Sequence, residues 1–200
     1  MTTIHWFRND LRLHDHRVLG ALPADVTSLL CLYILDDRQW HELPLGFSKT
    51  GPFRSKFLAE TLRQLDTELR DRGNQLVVCV GNPATVLAQI VGQITASYVT
   101  TDSEVTTEEL TTDEEVQTAI GVPLHRAWSR TLIHPDDLPQ PPLRMSDTFT
   151  TWRKDVERNL RVRAEYPTPQ VLPPPPAAFA NAPFQLDWLE AHGAGVAVVD

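Results

Sequence analysis

The sequence predicts an α/β fold: a doubly wound, five-stranded parallel sheet of the Rossmann-like kind, with helices on both faces. Short segments rich in apolar, β-branched and aromatic residues alternate along the chain with amphipathic segments of helical periodicity. This alternation is typical of parallel strands joined by right-handed crossovers. The chain has 200 residues, of which 42% are hydrophobic, so it is long enough for one good core and short for two.

The predicted strands share a composition that favours burial in a sheet. The second, "VTSLLCLYIL", is almost uninterrupted in its hydrophobicity, as expected of a central strand covered on both faces. In chain order, the five strands are predicted at residues 3–7, 26–35, 75–80, 96–101 and 122–128.

The helices are predicted from apolar spacing and from end signals. A first helix over residues 15–22 has Asp15 as a plausible N-cap. A long helix over residues 52–73 has Pro52 in its first turn and Gly73 at its end. Its apolar positions, which recur every three or four residues, are Phe53, Phe57, Leu58, Leu62, Leu65 and Leu69.

Three further helices follow the same logic. Pro83 stands near the start of a helix over residues 81–94. The next, over residues 106–120, is capped by Thr106 or Thr107 ahead of acidic residues that suit the positive end of the helix dipole. The last covers residues 146–162, with Ser146 or Asp147 near its cap.

Proline content marks the C-terminal part of the chain. Residues 131–145 are predicted to form a loop. Residues 166–183 are expected to be too proline-rich for core packing and to form an extended linker. Residues 184–200 offer only a short amphipathic turn and an apolar end. The domain prediction is therefore an α/β domain over residues 1–165, followed by a linker and tail over residues 166–200.

Composition excludes several classes of function. The net charge of −8 argues against broad electrostatic capture of DNA or RNA, so weak or no nucleic-acid binding is expected of this chain alone. Without an apolar run near 20 residues or a charged-then-apolar leader, we expect no membrane segment and a cytoplasmic location. Cys31 and Cys79 lie in apolar runs and are expected to be reduced, inert core residues.

Polar residues cluster after the first and fourth strands, which are neighbours in the usual strand order. Ligands of open α/β sheets bind outside the carboxyl ends of the strands, where the strand order reverses. A groove is therefore predicted in which Arg8, Asn9 and Asp10 face Ser103, Glu104, Thr106, Thr107 and Glu108. The alternative is that Arg8, Asp10 and Arg12 form a structural ion-pair network that ties the loop to the sheet.

The other motifs in the sequence are weaker indications of a functional site. Neither the dinucleotide fingerprint, the P-loop nor the G-x-S-x-G elbow occurs. Lys49, in "GFSKTGPFR", could hold an anion at a helix N-terminus, although an ordered loop that leads into the long helix is the favoured interpretation. His14, Asp15 and His16 are adjacent and point in different directions, so no metal site is expected from them.

Several stretches together resemble one family. "WFRNDLRLHDH", residues 6–16, resembles the opening motif W-F-R-x-D-L-R-x-x-D-N of photolyases and cryptochromes, with His16 where the family usually has Asn. Residues 46–73, 130–139 and 147–157 are similar, more narrowly, to DASH-type cryptochromes. The resemblance extends from Thr3 to about Pro167.

This resemblance implies a two-part protein. Family members place such an α/β domain before a larger helical domain, which binds FAD and DNA and performs blue-light reception or light-driven repair of pyrimidine dimers. The chain ends where that domain would begin, so it is expected not to be catalytic alone. The α/β domain of relatives holds an antenna, methenyltetrahydrofolate or a flavin such as FMN. The implied cofactor-binding residues are Phe7, Arg8, Asn9, Asp10, Glu104, Thr106, Thr107 and Glu108.

The missing helical domain also implies an exposed face. A helical FAD-domain partner or a second copy of the chain is expected to cover it. Two alternatives stay open: a stand-alone module that binds a nucleotide or flavin unrelated to light, and an interaction remnant whose groove holds no ligand.

Overall fold

The computed structural model describes residues 1–193 and contains one sheet of five parallel strands. Their order is β3-β2-β1-β4-β5, so the chain builds outward from β1 to β3 and then crosses back to place β4 beside β1. The strands are Thr2–Phe7 (β1), Ser28–Leu35 (β2), Leu76–Val80 (β3), Tyr98–Asp102 (β4) and Leu124–Ala127 (β5). The predicted fold class and the predicted contact between the first and fourth strands are both confirmed.

Helices connect and follow these strands. They are Arg17–Gly20 (α1), Pro52–Arg70 (α2), Pro83–Ile94 (α3), Thr107–Ala119 (α4), Phe149–Asn159 (α5) and Asp187–Gly193 (α6). Asn82 caps α3 by accepting hydrogen bonds from the backbone N–H groups of Ala84 and Thr85. Thr106 occupies the N-cap position of α4, and Thr148, not Ser146 or Asp147, that of α5.

The cap of α1 differs from the prediction. His16 is the N-cap, and its Nδ1 accepts from the Leu19 N–H at 3.2 Å. Asp15 has a left-handed backbone conformation, with φ at 45°, and its side chain accepts a hydrogen bond from the Tyr166 N–H instead. Asp15 therefore connects the first turn of the chain to Tyr166, which comes 151 positions later.

The core has two layers, one on each face of the sheet. One layer contains side chains of α3 and α4, including Leu87, Ile90 and Val116. The other contains Leu19 of α1 and Leu62 of α2, together with residues of the C-terminal segment. The central strands β1 and β2 are thus covered on both sides, as their continuous hydrophobicity predicts.

The buried face of α2 is not the whole predicted stripe. Leu62, Leu65 and Leu69 are buried, but Phe53 and Phe57 are 75% and 69% exposed. The face against the sheet runs through Ser55 and Ala59, and a position two residues away lies about 200° around a helix. The first two turns therefore present both phenylalanines to the outside.

The proline-rich segment also differs from its prediction, because it packs on the amino ends of the strands. Leu172 is only 3% exposed, and its N–H donates to the Arg72 carbonyl. Asn74 Nδ2 donates to the carbonyls of Leu29 and Pro173, at 2.9 and 2.6 Å. Prolines lack N–H donors but keep carbonyl acceptors, so an extended proline-rich chain can still bind an edge that supplies donors.

The predicted tail continues this packing. Helix α6 lies against α2, and its Leu189 is completely buried. The apolar end predicted at residues 194–200 lies outside the described residues. Within residues 1–193, no helix combines the length and the hydrophobicity that crossing a membrane requires.

Candidate functional site

The turn that follows β1 is fixed by the buried carboxylate of Asp10. Asp10 Oδ1 accepts a hydrogen bond from the Arg8 N–H at 2.9 Å, and Oδ2 lies 3.0 Å from His16 Nε2. Burial raises the pKa of Asp10, but the hydrogen bond with His16 and the adjacent imidazole of His5 hold that pKa well below its usual range. Asp10 is therefore an ionised anchor of the turn.

The side chains of Arg8 and Asn9 extend from the same turn toward α4 and the segment after β4. Arg8 Nη1 donates to Asp113 Oδ1 at 2.7 Å, and its guanidinium carbon lies 4.8 Å from the centre of the Trp6 ring. Asn9 Nδ2 donates to Glu104 Oε1 at 3.1 Å. These contacts join the carboxyl ends of β1 and β4 at the point where the strand order reverses.

Glu104 is held by protein groups on several sides. It pairs with Arg130, and Arg8 Nε lies 3.8 Å from Oε1. Burial raises the pKa of Glu104, whereas Arg8 and Arg130 act in the opposite direction. Arg130 also donates to Asp102 at 2.5 Å. Much of the polar cluster is therefore a structural ion-pair network, but its members differ from the predicted set of Arg8, Asp10 and Arg12. Asp10 contacts histidines instead, and Arg12 donates to backbone carbonyls.

A cleft of about 370 Å³ opens beside this network, at the carboxyl ends of β1 and β2. Its volume falls in the range of roughly 300–1,000 Å³ that is usual for small-molecule sites. Four elements form its walls: the turn after β1, residues 36–40 after β2, the N-terminal part of α2 and the first turns of α4. Its lining includes Arg8, Asn9, Tyr33, Asp36, Arg38, Trp40, Lys49, Arg54, Leu58, Thr107, Glu108 and Glu109.

The cationic side chains of this cleft differ in whether they form ion pairs within the protein. Arg38 donates to both carboxylate oxygens of Asp36, at 2.7 to 3.1 Å, and Lys49 pairs with Glu108 across the cleft. Arg54 is exposed and forms no ion pair with any residue in the described part of the chain. The wall at the start of α2 therefore carries a positive charge that a ligand could meet.

The cleft is also lined by aromatic side chains. Trp40 Nε1 donates to Ser55 Oγ at 2.9 Å, and the Trp40 ring lies edge-on to Trp188 of α6, with ring centres 5.0 Å apart. Burial raises the pKa of Tyr33 to about 12, which keeps its phenol neutral at physiological pH. The cleft thus combines oriented aromatic surface with cationic groups.

The structure separates the eight residues predicted for the site. Arg8, Asn9, Thr107 and Glu108 line the cleft. Phe7 also borders it, although its side chain is buried in the core. The other three, Asp10, Glu104 and Thr106, do not line it. Asp10 and Glu104 are buried in the network, and Thr106 is the N-cap residue of α4.

Sequence reasoning missed the contribution of the second strand. Arg38 and Trp40 follow β2, and Arg54 lies in the first turn of α2. The signal was present, because "DDRQW" is a polar and aromatic segment at the carboxyl end of a strand beside β1. The rule that was applied to the ends of strands one and four applies equally to strand two.

The adjacent residues His14, Asp15 and His16 do not converge. His14 is exposed and lies 3.9 Å from Glu165, while His16 turns inward. The structure instead groups His5, Asp10 and His16, whose ligand-type atoms all lie within 4.8 Å of one another. Hydrogen bonding occupies both nitrogens of His16, so in this arrangement His16 has no free lone pair for a metal.

Comparison with known proteins agrees with the sequence motifs. Residues 3–176 match the sequence profile of the family described as DNA photolyase. Cryptochrome DASH of Gloeobacter violaceus is 40% identical over 179 residues, which cover 88% of this chain and 36% of the relative. The chain thus spans little more than a third of the length of this curated relative.

Solved structures give the same result. A crystal structure of Synechocystis cryptochrome superposes with a TM-score of 0.83 at 39% identity, over 88% of this chain and 37% of the other. The Sulfolobus tokodaii photolyase, described with two FAD molecules and the implication of a novel light-harvesting cofactor, superposes at 0.77. It is 21% identical and is covered to 42% by 96% of this chain, so this likeness concerns the fold.

Proposed function

This chain belongs to the DNA photolyase family and corresponds to the N-terminal α/β domain of its DASH cryptochromes, and from that premise we propose that it binds a light-harvesting chromophore in the cleft. One observation carries the proposal: all four walls of the cleft come from this chain. Residues of this chain can therefore contact a ligand from several sides, although the cleft is open to solvent on the remaining side.

A phosphate-bearing planar ring system, of the flavin mononucleotide class, suits the cleft best. Arg54 has no partner within the described residues, and Lys49 is close to the same helix start. Both cations, with the free N–H groups of the first turn of α2, favour a dianionic phosphate. Trp40, Tyr33 and Leu58 supply the apolar and aromatic surface that a flavin ring requires.

Methenyltetrahydrofolate, the other antenna implied by the sequence, would use the cleft differently. Its pterin amines need a carboxylate acceptor, and the sequence left Glu104 and Glu108 as candidates. Glu104 is buried and paired with Arg130, whereas Glu108 lines the cleft and meets Lys49. Glu108 is therefore the carboxylate that a folate would contact.

Light collection is assigned to this chain, and the chemical step is not. The chain spans little more than a third of the length of these relatives, and we place FAD binding and any photoreception or dimer repair in the complete protein. The net charge of −8 gives this chain weak or no affinity for nucleic acid by itself.

A partner surface accompanies the chromophore site. Phe53 and Phe57 are one turn apart on α2 and both are exposed. Aromatic side chains of this size are enriched at protein interfaces. We therefore assign this face of α2 to a helical FAD-domain partner, with a second copy of the chain as the alternative occupant. Sedimentation velocity of the chain, and of a variant with serine at both positions, distinguishes self-association from a monomer.

Spectroscopic titration tests the chromophore proposal. FMN and methenyltetrahydrofolate are each titrated to about 100 μM and followed by absorption and fluorescence, a range that detects weak sites. We expect saturable FMN binding. Glu108→Gln releases Lys49 and should leave FMN affinity equal or higher, but it should weaken a folate. Glu114→Gln, an exposed change on the same helix, is the control.

Each result has a definite meaning. Folate binding that Glu108→Gln weakens, without FMN binding, would replace the flavin by a folate. A colourless nucleotide that binds more tightly than either chromophore would favour a nucleotide-binding module unrelated to light. Failure of all three would mean that the cleft does not act alone, as in an interaction remnant.

A further inference from the structure

A histidine–aspartate–histidine cluster lies beneath the turn after β1, outside the cleft. His5 is on β1, and Asp10 and His16 are in the loop that follows it. All three are at most 1% exposed, and the two imidazole rings meet edge to face with centres 4.8 Å apart. Asp10 Oδ2 lies 3.0 Å from His16 Nε2 and 3.4 Å from His5 Nε2.

The hydrogen bonds fix the proton on His16. Its Nδ1 accepts from the Leu19 N–H at 3.2 Å, so this nitrogen carries a lone pair. In a neutral imidazole the other nitrogen then carries the hydrogen, and Nε2–H donates to Asp10 Oδ2. His16 is thus fully satisfied in its neutral form.

The same reasoning leaves His5 one hydrogen short. Thr100 Oγ1 donates to the Ile4 carbonyl at 3.1 Å, so at His5 it can only accept, and His5 Nδ1–H donates to it at 3.0 Å. Neutral His5 therefore points a lone pair from Nε2 at the lone pairs of Asp10 Oδ2. This buried nitrogen has no hydrogen-bond partner.

We propose that His5, Asp10 and His16 form a buried proton-binding site that controls how firmly the turn carrying Arg8 and Asn9 is held. A proton taken from solvent by His5 Nε2 replaces a contact between two lone pairs by a charge-assisted hydrogen bond to Asp10 Oδ2. The other oxygen of Asp10 accepts from the Arg8 N–H. Protonation is thereby transmitted to the residues that form one wall of the cleft.

The groups around His5 set where it titrates. Burial, the largest influence, lowers the pKa of His5 from 6.5, and His16 acts in the same direction, while Asp10 and Asp102 act against it. Asp102 on β4 is already paired with Arg130. Cys31, its neighbour on β2, has a pKa raised by burial and stays neutral. His5 is therefore neutral at pH 7.5 and gains its proton on acidification.

NMR of the full chain tests this without any ligand. At pH 7.5, long-range ¹⁵N–¹H spectra of the histidine rings should show the Nδ1–H tautomer for His5 and the Nε2–H tautomer for His16. Between pH 7.5 and 5, His5 should titrate with a midpoint below 6.5, and the Arg8 amide shift should follow that midpoint. His5→Gln should abolish the response of Arg8, and His125→Gln, an exposed change on β5, should leave it intact.

Three results would overturn the proposal. One is the opposite tautomer for either ring at pH 7.5, which needs no variant and so holds even if His5→Gln fails to fold. Another is an Arg8 amide that does not follow His5. The third is a metal site in place of a proton site, shown by equimolar Zn²⁺ raising the melting temperature of the unmodified chain by several degrees but not that of His5→Gln.

Discussion

Asn9 Nδ2 donates to Glu104 Oε1 at 3.1 Å, and this contact joins the turn after β1 to the segment after β4. The two residues follow β1 and β4, which are neighbours in the sheet. The contact therefore links the two segments at the point where the strand order reverses. The acidic residues after β4 therefore have different roles. Glu104 belongs to the buried ion-pair network, which forms the framework of the site, and Glu108, one helical turn later, lines the cleft.

Glu104→Ala is therefore expected to cost stability. It leaves Asn9 without its buried acceptor and Arg130 with Asp102 as its remaining carboxylate partner. Breaking a buried pair typically costs about 3–5 kcal/mol, which we reduce to about 2–3 kcal/mol because Arg130 is partly exposed. Urea unfolding measures the change. Glu108→Ala, at an exposed pair, should shift the midpoint little. Equal effects of the two substitutions would contradict the assignment of Glu104 to the framework.

The sequence predicted this region well in some respects and poorly in others. Strand alternation placed Arg8, Asn9 and both glutamates at one edge of the sheet. It could not separate Glu104 from Glu108, because their roles depend on where α4 begins and on Arg130, which arrives from beyond β5. Trp40 was missed because the rule for strand ends was applied only to strands one and four, and Arg54 because helical periodicity does not show which exposed residue of α2 borders the cleft.

The proline-rich segment shows another limit of sequence reasoning. Proline content reports local stiffness and missing donors, and it says nothing about donors supplied by other parts of the chain. Here Asn74 and the Leu29 N–H supply them. His16 was noted as a departure from a family motif and as one of three adjacent residues rejected as a metal site, and its partner His5 looked like an ordinary strand residue.

Packing of this segment leads to a prediction with a matched control. Leu172 and Val171 are adjacent, but they are 3% and 78% exposed. Leu172→Ala should lower the free energy of unfolding by about 2–4 kcal/mol, whereas Val171→Ala should change it by less than about 0.5 kcal/mol. Urea denaturation followed by tryptophan fluorescence measures both. A free linker would give small, equal effects.

Acid should destabilise the chain through His5 and Asp10. The folded pKa of His5 is below 6.5, so as pH falls through 6.5 the unfolded chain binds the proton first and stability decreases. The depressed pKa of Asp10 contributes stability above 3.8 that is lost as pH falls toward its folded value.

Urea midpoints at pH 7.5, 5.5 and 3.5 measure both contributions. His5→Gln should flatten the decrease that begins near pH 6.5, and Asp10→Asn should flatten the decrease below pH 4. His41→Gln, which removes an exposed histidine, should retain the full profile of the unmodified chain. A His5→Gln profile that retains the decrease between pH 6.5 and 5.5 would show that another group binds that proton.

Arg54 provides the sharpest test of how a ligand is held. It is the cleft cation without a protein partner in the described residues, so its charge is available to a phosphate. Arg54→Ala should weaken FMN binding about 10-fold, or about 1.4 kcal/mol, because the site is open to solvent and screening reduces the interaction. Riboflavin, which lacks the phosphate, should bind equally to both forms. Arg153→Ala, an exposed change on α5, should leave FMN affinity unchanged. If Arg54→Ala weakens riboflavin as much as FMN, the arginine contacts the ring, and the phosphate lies elsewhere in the cleft.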